Sequence, residues 1–132
     1  NNWKMEFLVG GLYTPSASRS FDGPEAIDIP DNSHDGVTSD LSVDRVGAIK
    51  KLVLHLDVSH SYIGDLEVRL MKGGISKIVH NREGGSDNDL KRSYTVDEFI
   101  GQEASGDWQL FVRDLANLDK GVVNSWSLEI KQ

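Results

Sequence analysis

The feature that most limits what this chain can fold into is a two-residue rhythm running from about residue 41 onward. Leu52, Leu54, Leu56 and Val58 alternate with Lys51, Val53, His55 and Asp57, and Leu66, Val68 and Leu70 alternate with Glu67, Arg69 and Met71. Further on, Trp108, Leu110 and Val112 alternate with Gln109, Phe111 and Arg113, and Trp126, Leu128 and Ile130 with Ser127, Glu129 and Lys131. Successive side chains of a strand point to opposite faces, so this rhythm makes strands with one buried face. Helical spacing persists nowhere beyond a turn; Val96, Phe99 and Ile100, in the acidic stretch 96–103, come nearest. Turn residues separate the segments at the spacing of a β-sandwich: Gly73-Gly74, Gly84 to Asn88, Gly101, Gly106-Asp107 and Asp119-Lys120-Gly121. The expected class is all-β.

A chain of 132 residues, 38% apolar and 27% charged, has the length and composition of one globular domain. A domain this size buries roughly two-thirds of the surface its unfolded chain exposes, enough for a core without covalent staples. The absence of cysteine fits, and it excludes a disulfide framework, a thiolate zinc site and a cysteine nucleophile. Fourteen basic against twenty-one acidic residues leave a net charge of -7, with the basic residues scattered in ones and twos. Nucleic acid is therefore not an expected partner. Nor is a membrane, because no apolar run approaches the ~18 residues of a span. The chain starts Asn1-Asn2-Trp3 without methionine or a signal-peptide layout, and reads as a piece of a longer protein with any targeting signal upstream. Residues 1–25 read as linker with a candidate edge strand around Phe7 and Val9, and the domain proper as 26–132, beginning near Ala26-Ile27-Asp28-Ile29.

The stretch Ser59-His60-Ser61-Tyr62-Ile63-Gly64-Asp65-Leu66, with Asp57 just before it, gathers the residue types of a hydrolase site. A serine hydrolase needs its nucleophile on a rigid turn, a base beside it and a carboxylate orienting the base. Near-adjacent residues at a strand end project in different directions and do not line up as a relay. The Gly-x-Ser-x-Gly turn is absent; Gly84-Gly85-Ser86-Asp87-Asn88 lacks its last glycine. His-Glu-x-x-His is missing too, and His34, His55, His60 and His80 lie twenty-one, five and twenty residues apart. His55 and His60 do not share a strand face. The simpler expectation is that His60 ties a turn to its neighbours through both ring nitrogens and that Asp65 caps the same turn.

Hard-cation binding is the stronger chemical signal. Calcium takes about six to eight oxygens from carboxylates and carbonyls on loops that bend around it. Asp87 and Asp89 follow a glycine pair, and Asp31-Asn32-Ser33-His34-Asp35-Gly36 copies the first half of an EF-hand loop, then fails where Ser42 stands at the position of the bidentate glutamate. Asp57 and Asp114 are expected at strand ends, where a sandwich presents its loops. The candidate ligand set is Asp57, Asp65, Asp87, Asp89 and Asp114, for a structural calcium ion.

Several motifs in order then become specific. His60 followed by Gly64-Asp65-Leu66, Gly106-x-Trp108-x-Leu110 leading to Asp114, Gly121, and the closing Trp126-x-Leu128 make the chain from about Ile27 to Ile130 resemble the P domain, or P/Homo B domain, of proprotein convertases and secreted bacterial proteases. The resemblance implies a jelly-roll β-sandwich of the galactose-binding-like type, with about eight antiparallel strands. It also implies a non-catalytic accessory domain following a subtilisin-like serine protease domain in the same chain, stabilising it and aiding protein substrate engagement, in a secreted or extracellular protein. One departure is Met71-Lys72-Gly73-Gly74, where the family usually has a proline. Trp108 and Trp126 lie on the buried phase of their strands and read as core anchors. A carbohydrate- or matrix-protein-binding module is the alternative, and would use exposed aromatics such as Trp3, Tyr13, Tyr62 or Tyr94.

Overall fold

The computed structural model describes residues 18–116 and 120–132. The expected edge strand at Phe7 and Val9, with Trp3, Tyr13 and Asp119, lies outside them. Nine strands are present among the described residues: β1 (Ser18–Asp22), β2 (Ile27–Ile29), β3 (Val37–Val43), β4 (Lys51–His60), β5 (Leu66–Lys72), β6 (Ile75–Asn81), β7 (Leu90–Thr95), β8 (Gly106–Asp114) and β9 (Gly121–Lys131). They form two antiparallel sheets. One runs β1-β9-β4-β7, with β2 also pairing with β9; the other runs β3-β8-β5-β6. The chain is thus an all-β sandwich, one strand over the expected count. The stretch 96–103 forms hydrogen-bonded turns, Ile100 N–H to Asp97 O and Gln102 N–H to Phe99 O. Among the described residues no helix is long and apolar enough to cross a membrane.

The two-residue rhythm sets which face is inside. Leu52, Leu54, Leu56 and Val58 of β4 face Val68, Leu70, Trp108, Leu110 and Val112 of the other sheet, all almost fully buried. Trp108 donates its indole N–H to Ala104 O at 2.9 Å and packs on Phe99 with ring centroids 4.9 Å apart. Trp126, on β9, donates to Ser39 Oγ of β3 at 2.8 Å, a hydrogen bond that crosses the sandwich. Both tryptophans are core anchors with their polar atoms satisfied, as burial demands. The Met71 to Gly74 departure closes a tight hairpin: Lys72 pairs with Ile75, and Gly73 takes φ +56°, the conformation a type II′ turn asks of its first central residue.

Candidate functional site

At the far end of β4 the inward phase of Leu52 to Val58 reaches His60, which is 3% exposed. Its Nδ1 accepts the Tyr62 N–H at 3.0 Å, so in the neutral ring the proton sits on Nε2. That N–H donates to Asp114 Oδ2 at 2.9 Å, and the Asp114 carboxyl is entirely buried at the end of β8. Asp114 Oδ1 accepts the Ala116 N–H at 3.0 Å, and its carbonyl accepts from Ser33. A buried carboxylate costs little here because each oxygen has a donor.

The loop from Gly84 to Asp89 packs onto the same point. His60 N–H donates to Asp89 Oδ1 at 3.1 Å, and Asp89 N–H returns to His60 O at 2.8 Å. Ile63 N–H donates to Asp87 O and Gly64 N–H to Gly85 O, while Leu115 N–H closes on Asp65 O. The three-residue 3-10 turn Ile63–Asp65 is therefore held on two sides. Glycine is needed where these backbones meet. A Cβ on Gly64 would lie 2.9 Å from Gly85 Cα, and one on Gly121 would lie 2.6 Å from the His60 ring. His80, also buried, donates Nε2–H to Ile63 O at 2.9 Å. Beside the hub is a cleft of about 660 Å³ lined by Ile29, Pro30, Ser61, Asn88, Asp89 and Lys120.

Chemically, this end is a fastener. Both His60 nitrogens are engaged and the ring is buried, so it has no lone pair to offer a solvent-facing nucleophile. Of the acidic residues singled out from the sequence, Asp65, Asp87, Asp89 and Asp114 come to this end. Asp57 does not: β4 runs three residues past it to His60, so Asp57 sits mid-strand on the outer face, accepting from Asn124 Nδ2 at 3.1 Å. Placing the strand end at the first aspartate mistook an ordinary outward residue of an amphipathic strand for a loop residue. Among the described residues no three His, Asp or Glu side chains group as a cation cage. The pairing of His60 with Asp114 and the Ala116 and Asp89 contacts were not visible in the sequence, although the parity of β4 already turned His60 inward. Tyr62 is 40% exposed, the one aromatic among the described large apolar side chains that face solvent.

Another carboxylate is buried on what should be a solvent face. Glu67, on the outward phase of β5, is 5% exposed because Arg69 and Arg113 close over it, Arg113 Nη2 lying 3.0 Å from Oε1. Burial pushes its pKa up, but hydrogen bonds from Arg113 and Arg69 and their charges outweigh burial and hold it below the ordinary glutamate range.

Comparison with known proteins follows the same line. The chain is 35% identical over 122 residues to leupeptin-inactivating enzyme 1 of Streptomyces exfoliatus, covering 89% of this chain and 28% of that protein. It is 31% identical over 113 residues to a calcium-dependent protease of Nostoc sp., covering 78% of this chain and 17% of that one. In fold it resembles the serine protease of Aeromonas sobria seen in complex with its chaperone (TM-score 0.67, 19% identity), covering 86% of this chain and 27% of that one. The chain thus spans less than a third of the length of each. Residues 49–130, from the last buried residue before β4 to the last inward residue of β9, match the proprotein convertase P-domain, and the chain belongs to that family.

Proposed function

We propose that this chain is the non-catalytic accessory domain, residues 26–132 preceded by a linker with an edge strand, of a secreted subtilisin-like serine protease. It packs on the catalytic domain of the same chain, stabilises it and aids engagement of protein substrate. The observation that supports this most is the family membership together with relatives named as proteases, of which the chain matches a minor part. A tethered domain works at high effective concentration, and contacts made only in the folded state raise stability by mass action. The test is the parent protease with and without residues 26–132. Deletion is expected to lower the melting midpoint of the remainder and its peptide hydrolysis, with residual activity blocked by a serine-directed inhibitor. An unchanged midpoint overturns the stabilising role, and inhibition by a chelator alone overturns the serine class.

The same reading includes structural calcium, supported by the name of the Nostoc relative. Asp114 is entirely buried against His60 and Asp57 stands apart on the outer face of β4, which favours neither as a ligand of a shared ion. The loop carrying Asp87 and Asp89 fits better. Positive φ at Gly84, Gly85 and Asp89 turns its backbone sharply, as a carbonyl-lined cation loop requires, and Asp65 follows directly on the Gly64–Gly85 contact. Calcium there would pin the loop to the turn at Ile63. A melt with and without chelator checks this, and an equal midpoint removes the ion.

A further inference from the structure

Five residues before His60, His55 falls on the opposite phase of β4 and faces out. Its Nε2 lies 3.0 Å from Glu129 Oε1 of β9, and its Nδ1 lies 2.6 Å from Ser93 Oγ of β7. A carboxylate only accepts, so Nε2 carries the proton. In the neutral ring Nδ1 is then a lone pair, and Ser93 donates its hydroxyl proton to it. Three neighbouring strands thus align hydroxyl, imidazole and carboxylate in the order a general base needs.

The sheet geometry explains the alignment. His55 lies opposite Ser93, and Val53 opposite both Thr95 and Glu129. Val96 N–H bonds Leu52 O at the next step of the register, so hydrogen-bonded pairs fall on even residues of β4 and His55–Ser93 is a non-hydrogen-bonded pair. Side chains of such pairs stand closer. Because β7 is the edge of its sheet, the Ser93 N–H then points off the open edge. Beside the trio is a groove of about 450 Å³, which Lys91, Asp57, Ser125 and Ser127 also line.

We propose that Ser93 is an activated acyl acceptor, with His55 its general base and Glu129 a positioning residue. Ser93 Oγ attacks the carbonyl carbon of an activated ester, forming the new C–O bond as its proton passes to His55 Nδ1. The tetrahedral adduct collapses, the bond to the alcohol oxygen breaks, and that oxygen takes the proton back from His55. The products are O-acyl Ser93, the free alcohol and a neutral imidazole. The Ser93 N–H and the Lys91 ammonium favour the negative oxygen of the adduct. One acylation per chain is what the geometry supports, and the accessory role stands whether or not it occurs.

The experiment treats the 132-residue protein with p-nitrophenyl acetate and follows acetylation of individual serines by peptide mass spectrometry. Ser93 should acetylate at least ~10-fold faster than Ser125 or Ser127, which share the groove but lack an imidazole partner. His55→Gln should erase that advantage. Glu129→Gln should lower the Ser93 rate several-fold and shift the 15N resonances of His55 away from the Nε2–H tautomer, which loss of packing alone would leave in place. Ser93 reacting no faster than Ser125 and Ser127 in the unaltered protein, or keeping its lead after His55→Gln, overturns the proposal.

Discussion

His55 and His60 sit on one strand, each hydrogen-bonded through both ring nitrogens to an acid and one further group, and they have opposite fates. His60 is sealed between the sheets with Asp114, while His55 and Glu129 are each about two-fifths exposed. Five residues is an odd step, and on a strand an odd step changes face. The difference teaches that residue types and hydrogen bonds do not decide between fastener and reactive group; burial does. Inside, an unpaired partner is costly and the network is fixed. Outside, solvent and small molecules can reach the nitrogen, and water can take the place of a lost partner.

The largest expected effect is therefore at His60. His60→Ala leaves the fully buried Asp114 carboxylate with the Ala116 N–H and no imidazole, and frees the Tyr62 N–H. Loss of one member of a buried pair costs about 3–5 kcal/mol, to be read from urea unfolding. A loss below about 1 kcal/mol would mean that burial is not what separates the two histidines.

Next comes the packing around the inner ring. Gly121→Ala drives a methyl to 2.6 Å from the His60 ring and 2.8 Å from Ser59 O, and the latter, being backbone, gives little. About 1–3 kcal/mol is expected. Gly73→Ala is the control: its surroundings are open, so the cost is only that of an alanine at φ +56°, of order 1 kcal/mol. Equal losses at the two sites would show that the hub tolerates movement and does not hold His60 rigidly.

Glu67 sharpens the same distinction, since it is outward by phase but buried by its arginines. Its folded-state value is depressed, so the stability it contributes is fully present above the ordinary glutamate range and is lost as pH falls through the lower folded value. Glu67→Gln should be less stable than the parent at neutral pH and should show a shallower fall on acidification. A parallel fall in both proteins, measured by unfolding midpoints between neutral pH and pH 3, would assign the acid sensitivity elsewhere.

Much of this was legible in the chain. The rhythm at 52–58, 66–70, 108–112 and 126–130 names four central strands and their inward residues, and its extension to residue 60 turns His60 inside. What it could not carry was pairing between distant strand ends: His60 and Asp114 are 54 residues apart and lie on different sheets. Edge strands were the other blind spot. β7 reads Leu-Lys-Arg-Ser-Tyr-Thr and is mostly exposed, so burial imprints no alternation on it. Ser93 is hidden from periodicity for that reason, and its contact with His55 depends on register, which the sequence of an edge strand specifies weakly.

The smallest expected effect is at His55 itself. Its bond to Glu129 joins two half-exposed groups, and exposed pairs of this kind contribute about 0–1 kcal/mol. Its contact with Ser93 can be replaced on both sides by water. His55→Ala should therefore shift the unfolding free energy by less than ~1 kcal/mol, measured beside His60→Ala in the same urea series. The same substitution should abolish the acylation preference of Ser93, because the hydroxyl loses its imidazole partner while the sheet that carries it stays intact. A large stability loss at His55 would place it with His60 as a fastener. A small loss with the preference gone would separate the two, since only on the outer face can an imidazole be removed from the chemistry without being missed by the fold.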